Sequence, residues 1–178
     1  MNDGDRTNTG PLASGHRAIG SQEFRAVMGH FCTGVAIVTG RLEEQLYGFV
    51  VQSVQSISLN PPLVSISPAT TSRSWPAIRS TGSFCLNFLP ACERRLCTQF
   101  AQSGMHKFNG VNWRASIRGS PIIEAAIGYV DCKIEAEHGA GDHTIVLGRV
   151  MDLSILLADA QPLLFFRGRF GSFIEESA

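Results

Sequence analysis

The stretch "AIGYVDCKIEAEHGAGDHTIVLGRVMDLSI", residues 126–155, decides the fold of this chain. In its first half apolar and charged residues alternate, with Val130 and Cys132 on one face and Asp131 and Lys133 on the other. Alternation with a period of two is typical of a strand that is buried on one side only. A glycine-containing turn follows, and the apolar run after it predicts a second strand of similar length. The sequence therefore predicts two long neighbouring strands joined by a short turn.

The turn itself has an unusual composition, because a second strand, predicted from Thr144 to Ile155, is preceded by "GAGDH". Gly141 lets a backbone approach a ligand closely, and Asp142 can accept a hydrogen bond within the turn or orient the ring of His143. A lone histidine is more often structural or merely exposed. Both interpretations of His143 therefore stay open at this point.

The remaining elements come as strands in succession, with few helices between them. Helical spacing predicts helices from Ser21 and over 90–102, while a single long strand is predicted from Tyr47 to Leu59 and a last strand in "PLLFFRGRF". About seven strands and two or three helices result. This order favours an antiparallel β-barrel with peripheral helices over a doubly wound parallel sheet.

Composition limits the classes of protein that fit. The 178 residues suit one domain, predicted over 21–175, after a disordered leader over 1–20. Fifteen basic and fifteen acidic residues give zero net charge, so no overall field attracts nucleic acid or an anionic membrane. The five cysteines form no CxxC pair and sit mostly in apolar runs, which predicts a reducing cytoplasm and no metal site.

Familiar nucleotide motifs are missing, since the chain has neither GxGxxG after a strand nor GxxxxGK before Ser or Thr. Polar residues instead cluster in two places. Gln52 and Ser53 lie in "GFVVQSVQSISLNPP", and their amide and hydroxyl could contact a flat heterocycle or simply line a wet barrel face. Arg73 lies in "SISPATTSRSW", where hydroxyls and a guanidinium suit a phosphate, although Ser-rich turns are common. Lys107 and Phe108 fit an ordinary surface pair.

Taken together, the chain resembles the flavin reductase family of the FMN-binding split-barrel superfamily. The resemblance lies in colinear segments between Phe24 and Phe173, namely "FRAVMGHFCTGVAIVT", "GFVVQSVQSISLNPPLVSIS", "SRSWPAI", "FCLNFL", "KFNGVNW", "GSPIIEAAIGYVDC", "GDHTIVLGRV" and "PLLFFRGRF". It implies a mainly β fold, an antiparallel split β-barrel of Greek-key type with peripheral helices. "SRSW" and "GSPIIE" are most similar to reductases that serve hydroxylases of aromatic rings, including phenolic steroid intermediates.

The resemblance also implies roles for individual residues. A flavin, FAD or FMN, would be bound by Tyr47, Gly48, Phe49, Val50, Gln52, Ser53, Ser67, Pro68, Ala69, Arg73, Ser74, Gln99 and Phe100. The nicotinamide of NADH, or of NADPH, would lie near Gly141, Asp142, His143 and Phe170, with His143 as the catalytic residue that positions the ring. Val50 and Gln52 depart from the threonine and asparagine that many members have. That departure leaves the choice between FMN and FAD open.

The implied activity is hydride transfer from NADH to flavin in a cytoplasmic homodimer, with the reduced flavin passed to a partner monooxygenase. No side chain then needs to be a nucleophile. Three alternatives remain: an oxidase similar to pyridoxamine-phosphate oxidase, a flavin-storage protein without turnover, and a barrel that binds no flavin.

Overall fold

The structure is a computed structural model that describes residues 17–174, and its regular secondary structure is mainly antiparallel β. This confirms the predicted mainly β fold class. Three helices are present in that part of the chain: α1 (Ser21–Met28), α2 (Trp75–Ser80) and α3 (Arg94–Ala101), the last preceded by a 3₁₀ turn (Ala91–Glu93). The strands are β1 (Thr33–Gly34), β2 (Ala36–Leu42), β3 (Gln45–Val51), β4 (Gln55–Leu59), β5 (Pro62–Ile66), β6 (Ser83–Phe88), β7 (Trp113–Ala115), β8 (Pro121–Ile123), β9 (Gly128–Ala140), β10 (His143–Ile155), β11 (Leu164–Phe166) and β12 (Arg169–Gly171).

Seven strands form one sheet in the order β3-β2-β6-β9-β10-β5-β4. Its two edges, β3 and β4, are consecutive in the chain and joined only by residues 52–54. In a flat sheet the two edges of seven strands lie about 29 Å apart at the usual strand spacing. Four residue steps span at most about 14 Å, so the sheet has to curl until its edges approach each other. The connection thus marks the split of a rolled sheet.

The prediction of a single strand from Tyr47 to Leu59 is wrong, because this segment belongs to two strands, β3 and β4. The chain leaves β3, which pairs with β2, and enters β4, which pairs with β5 on the opposite edge. Gln52 to Val54 make the crossing. Polar residues recur on both sides of the crossing, and between Tyr47 and Val54 only the adjacent polar pair Gln52 and Ser53 marks it.

Two smaller sheets complete the fold. β1, β11 and β12 form one, and β7 pairs with β8 in the other. The predicted last strand is a hairpin, β11–β12, whose turn consists of Arg167 and Gly168. This turn shortens both strands to three residues each.

The interior of the rolled sheet is filled by apolar side chains from its strands and from α2. Trp75 and Ile78 of α2 pack onto it. A second core lies beneath α3 and the 104–111 loop, where Phe100 is fully buried and stacks edge-on against Phe108 with ring centres 4.9 Å apart. The strand contribution to the interior comes from Ala36, Val38, Val51, Ile66, Phe84, Leu86, Cys132 and Val146.

Helix α1 differs from its prediction. Ser21 is its first residue rather than its cap, the cap is Gly20, and the helix ends at Met28. None of its residues is buried, and Phe24 and Val27 are 58% and 66% exposed. The predicted disordered leader, 1–20, falls mainly on residues 1–16, which lie outside the described part of the chain. Within residues 17–174 no helix is long and apolar enough to cross a membrane.

Asp131 contradicts the pattern that predicted β9. Alternation places it on the wet face, yet it is fully buried, because the β7–β8 hairpin covers that part of the sheet. Neither carboxylate oxygen has a hydrogen-bond partner among the described residues. Loss of hydration is the largest effect and raises the pKa of Asp131, and the charge of Asp152 adds to the increase. The nearby Ser116 hydroxyl and the N–H and charge of Arg118 oppose it in part, although none of these donors is within hydrogen-bond distance of the carboxylate.

We expect Asp131 to make the protein less stable as the pH rises. A raised native pKa means that the protonated acid is favoured by folding, so its contribution is present below about pH 4 and is lost as the pH rises through the native pKa. Asp131→Asn should therefore raise the free energy of unfolding at pH 7 by about 1 kcal/mol. Urea unfolding at pH 4 and pH 7 measures this, with exposed Asp159→Asn as control. A variant that is less stable at pH 7 would contradict the account.

Candidate functional site

A cleft of about 540 Å³ opens between β3, the 71–74 turn and the end of α3. Its size is within the range of small-molecule and cofactor sites. Seven residues predicted to bind flavin line it: Tyr47, Gly48, Phe49, Val50, Arg73, Ser74 and Phe100. The structure therefore brings together three segments that are far apart in the sequence.

Gly48 forms the floor of this cleft. An added Cβ at this position would lie 2.6 Å from Cε1 of Phe100, so only glycine allows the ring to pack there. Its carbonyl oxygen accepts hydrogen bonds from Ser74 Oγ at 3.0 Å and from Lys107 Nζ at 2.9 Å. Lys107 Nζ also donates to the carbonyl of Phe100 at 3.0 Å. The 71–74 turn and the loop after α3 are thus both hydrogen-bonded to the same carbonyl group of β3.

The cleft is cationic. Arg73 is exposed on its rim, and Lys107 is half-buried in its wall. Within residues 17–174 neither has a carboxylate within 4.0 Å, whereas Arg79, in α2, is paired with Glu137. Partial burial lowers the pKa of Lys107. Two cations beside the hydroxyls of Thr71, Ser72 and Ser103 form a suitable environment for a phosphate.

The predicted nicotinamide turn lies against the turn after β5. Thr144 N–H donates to the carbonyl of Pro68 at 3.0 Å, and Thr70 N–H donates to that of Asp142 at 2.9 Å. Ala69 and His143 form an isolated antiparallel bridge. Since these bonds all use main-chain groups, the position of the turn does not depend on its side chains.

Ser53 links this pair of turns to the sheet crossing. Its hydroxyl accepts a hydrogen bond from Ser67 N–H at 2.8 Å. Four residues predicted to bind flavin, Ser53 and Ser67 to Ala69, therefore meet the turn predicted to lie near the nicotinamide at the split of the sheet, next to the cationic cleft.

His143 and Asp142 form a pair at the tip of the turn. Nδ1–H of His143 donates to Oδ1 of Asp142 at 2.7 Å, which leaves Nε2 free to contact a ligand. The His143 side chain is 45% exposed and that of Asp142 is 93% exposed. This hydrogen bond is the main cause that lowers the pKa of Asp142, and the positive charge of Arg25 in α1 contributes. The carboxylate thus orients the ring.

Three of the residues predicted for the site lie neither in the cationic cleft nor at the two hydrogen-bonded turns. The Gln52 amide oxygen accepts a hydrogen bond from Thr33 Oγ1 at 3.4 Å, next to β1. The Gln99 amide donates to the carbonyls of Lys107 and Asn109, at 2.8 and 3.0 Å, and so ties the 104–110 loop to α3. Phe170 lines a separate cleft of about 700 Å³ beside β11 and β12.

Sequence reasoning missed several residues that line the cationic cleft. Lys107 was assigned to an ordinary surface pair, although it reaches back under β3 to Gly48. The sequence predicts no role for Ser103 or Met105, because residues 102–105 carry no motif. The available signal is the segment "KFNG", which is part of the family resemblance but by itself implies no role for Lys107. Among the described residues, no group of three or more His, Cys, Asp or Glu side chains is placed to hold a metal ion.

Comparison with known proteins agrees with this geometry. A family model described as "Flavin reductase like domain" matches residues 28–173. The reductase subunit HsaB of a flavin-dependent monooxygenase from Rhodococcus jostii is 42% identical over 91% of this chain and 83% of its own. A flavin reductase from Pseudomonas putida is 43% identical over 88% of this chain and 92% of its own.

Solved structures show the same likeness. Nitrilotriacetate monooxygenase component B from Mycobacterium thermoresistibile superposes with a TM-score of 0.84 at 40% identity, covering 88% of this chain and 90% of its own. The NADH:FAD oxidoreductase of Streptomyces globisporus, solved with NAD and FAD fragments, superposes with a TM-score of 0.83 at 30% identity. The match covers 88% of this chain and 94% of its own. The match to the family model and the identity to these relatives confirm the predicted resemblance: the chain belongs to the flavin reductase like family.

Proposed function

We propose that the chain is an NADH-dependent flavin reductase that supplies reduced flavin to a partner monooxygenase. One observation carries the proposal: the turn with His143 is bonded to the 67–70 turn at the split of the sheet, beside a cationic cleft. The relatives are named as flavin reductases or as reductase subunits of flavin-dependent monooxygenases. Aromatic-ring hydroxylation is the reaction class we propose for the partner.

The cleft residues fit a flavin mononucleotide unit. Arg73, with Lys107 behind it and Ser74 beside it, would hold the phosphate, because a guanidinium and a phosphate match in a two-pronged hydrogen bond. The backbone from Tyr47 to Val50 would run along the flavin chain, and Ser53 with 67–69 would border the ring. The loop after α3, which lines one side of the cleft, is exposed, and we propose that FAD is accepted as well as FMN.

His143 would position the nicotinamide. Its ring is held by Asp142, and the turn is fixed to the 67–70 segment by the main-chain bonds described above. The bound flavin and the reduced nicotinamide supply the hydride acceptor and donor. The protein contributes alignment, which is worth several orders of magnitude in rate for two well-oriented reactants.

We also propose that the chain acts as a homodimer in the cytoplasm. The apolar side chains of α1 and of the turn after it support a second subunit, because Phe24, Val27 and, beyond the helix, Phe31 are 58%, 66% and 70% exposed in the single chain. Light scattering should then give twice the 19.3 kDa of one chain, and a single-chain mass would contradict it. The five cysteines form no disulfide with one another, which fits a reducing compartment.

One assay tests the activity itself. NADH oxidation should require added or bound flavin, and FMN and FAD should both support it. Bound flavin without NADH oxidation would instead identify a flavin-storage protein. Reduction of flavin by an amine substrate without NADH would identify an oxidase, and protein that binds no flavin would leave the proposal without support.

His143→Ala should raise the Michaelis constant for NADH about tenfold and leave flavin affinity nearly unchanged, because in this proposal the side chain would contact the nicotinamide and not the flavin. The bonds that fix the turn use main-chain groups and survive the substitution. Steady-state kinetics and flavin titration measure both effects. His138→Ala, which removes an exposed histidine from the same hairpin, serves as control. Unchanged kinetics in the His143 variant would remove this residue from the site.

Arg73→Ala should weaken FMN binding about tenfold or more and leave riboflavin binding unchanged, since riboflavin has no phosphate. Fluorescence titration with the two flavins separates these effects. Arg79→Ala, six residues away and already paired with Glu137, is the matched control. Equal loss of both flavins would show that Arg73 acts through the fold and not through the phosphate.

A further inference from the structure

The β7–β8 hairpin has no role in the site described so far, although it covers part of the seven-stranded sheet. It forms a sheet of its own, and each of its strands has three residues. Side chains of the large sheet hold its second strand: Thr39 Oγ1 donates to the carbonyl of Pro121, and Ile123 N–H donates to Oδ1 of Asn87 at 2.7 Å. The hairpin depends on such contacts, because two short strands are only marginally stable by themselves.

Buried polar groups without partners lie beneath this hairpin. Asp131 and Ser120 are 0% and 1% exposed. Within residues 17–174 neither oxygen of the Asp131 carboxylate nor Oγ of Ser120 has a hydrogen-bond partner. A buried carboxylate without partners is far less stable as an ion than as a neutral acid. The closed hairpin therefore favours the protonated form of Asp131.

The titratable and charged groups around Asp131 come from β9 itself, from both neighbouring strands and from the hairpin: Tyr129, Lys133, Cys85, Asp152, Arg114 and Arg118. Asp152 lies directly opposite Asp131 on β10, so two carboxylates repel each other when both are ionised. The charge of Arg118 opposes this repulsion in part, but within the described residues its guanidinium forms no hydrogen bond with Asp131.

Ionised Asp131 needs water, because the described part of the chain has no donor within hydrogen-bond distance of its carboxylate. Water reaches the carboxylate when the hairpin lifts from the sheet. Local opening of a small element costs less free energy than global unfolding, so the charge on Asp131 acts first on this hairpin. The hairpin thus has two states, one closed over the neutral acid and one loosened over the ion.

Three aromatic rings connect the hairpin to the floor of the cationic cleft. Trp113 of β7 packs edge-on against Phe108 with ring centres 6.5 Å apart, and Phe108 packs in the same way against Phe100 at 4.9 Å. Phe100 in turn lies against Gly48, where an added Cβ would be 2.6 Å from its ring. Lys107, the neighbour of Phe108, donates to the carbonyl of Gly48. A shift of β7 is therefore transmitted to the cleft by direct contacts.

We propose that the charge on Asp131 controls how firmly the β7–β8 hairpin closes and, through Trp113 and Phe108, how tightly the cleft binds flavin. With the neutral acid the hairpin is closed, and the rings hold Phe100 against Gly48. As the pH rises and the acid loses its proton, the hairpin loosens and the affinity for flavin falls. The proposal rests on the proposed reductase function, because flavin is the ligand that it concerns.

The raised pKa of Asp131, caused mainly by loss of hydration, agrees with this direction. A group whose pKa is raised in the closed state stabilises that state below its ordinary pKa, and the contribution is lost as the pH rises through the raised value. Flavin affinity should therefore fall with rising pH, and a neutral substitute at position 131 should abolish this part of the decrease.

The first test is a fluorescence titration with FMN between about pH 4 and pH 8. Wild type and Asp131→Asn should bind FMN equally at the lowest pH, and the variant should bind about fivefold more tightly at the highest. Comparing the two proteins at each pH removes the titration of the FMN phosphate itself. Asp159→Asn, which changes an exposed aspartate, should behave as wild type. Equal affinities of wild type and Asp131→Asn at every pH would overturn the proposal.

Hydrogen exchange tests the hairpin without flavin. At about pH 8 the amides of residues 113–123 should exchange about fivefold faster in wild type than in Asp131→Asn. Amides of β11 and β12, which belong to a different sheet, should exchange equally in both proteins. Equal exchange of residues 113–123, or the same change in β11 and β12, would show that Asp131 does not act on the hairpin and would overturn the proposal.

A double-mutant cycle tests the route to the cleft. Trp113→Leu keeps an apolar side chain on β7 and removes the ring that contacts Phe108, so Asp131→Asn should no longer change FMN affinity in this background. Trp113→Tyr keeps a ring and should retain the difference. A difference that persists fully in Trp113→Leu, or disappears in Trp113→Tyr, would overturn the route. Wild-type protein that binds no FMN at any pH would refute the reductase function as well, whereas FMN binding with equal affinity in wild type and Asp131→Asn would overturn this proposal alone.

Discussion

The three-residue connection between β3 and β4 is the constraint on which the rest of the structure depends. It joins the two edges of a seven-stranded sheet, so the sheet has to roll up until those edges are close. Rolling brings the turn after β5 and the β9–β10 turn to the split, where main-chain hydrogen bonds tie them together. The site is therefore a result of sheet closure, and its polar groups lie where the edge of the sheet would otherwise remain unpaired.

The parts of the fold that the sequence predicted correctly are those with regular local periodicity. The β9–β10 hairpin and α3 fall close to their predicted positions because alternation and helical spacing are properties of neighbouring residues. The crossing at Gln52, the burial of Asp131 and the exposure of α1 depend on which element covers which. Such contacts are between distant residues, and no local pattern records them.

The same distinction applies to the site. The resemblance predicted the residues of β3 and the 71–74 turn, and the structure places seven predicted flavin residues around one cleft. It did not predict Lys107, because the bond from its ammonium group to Gly48 joins a loop to a strand 59 residues earlier. Gln99, in turn, does not line the cleft and directs its amide to the loop backbone. The position of a residue in a family motif therefore predicted which segments come together better than it predicted where each side chain points.

The packing of Phe100 on Gly48 has a consequence for how such an enzyme can diversify. Any larger residue at position 48 would collide with a fully buried ring, so the floor of the cleft cannot be reshaped by single steps of mutation. The rim loop at 102–105 is exposed and carries no such restriction. Changes in flavin preference, whether arising by natural drift or by directed evolution, are therefore expected to accumulate on that rim while the floor stays constant.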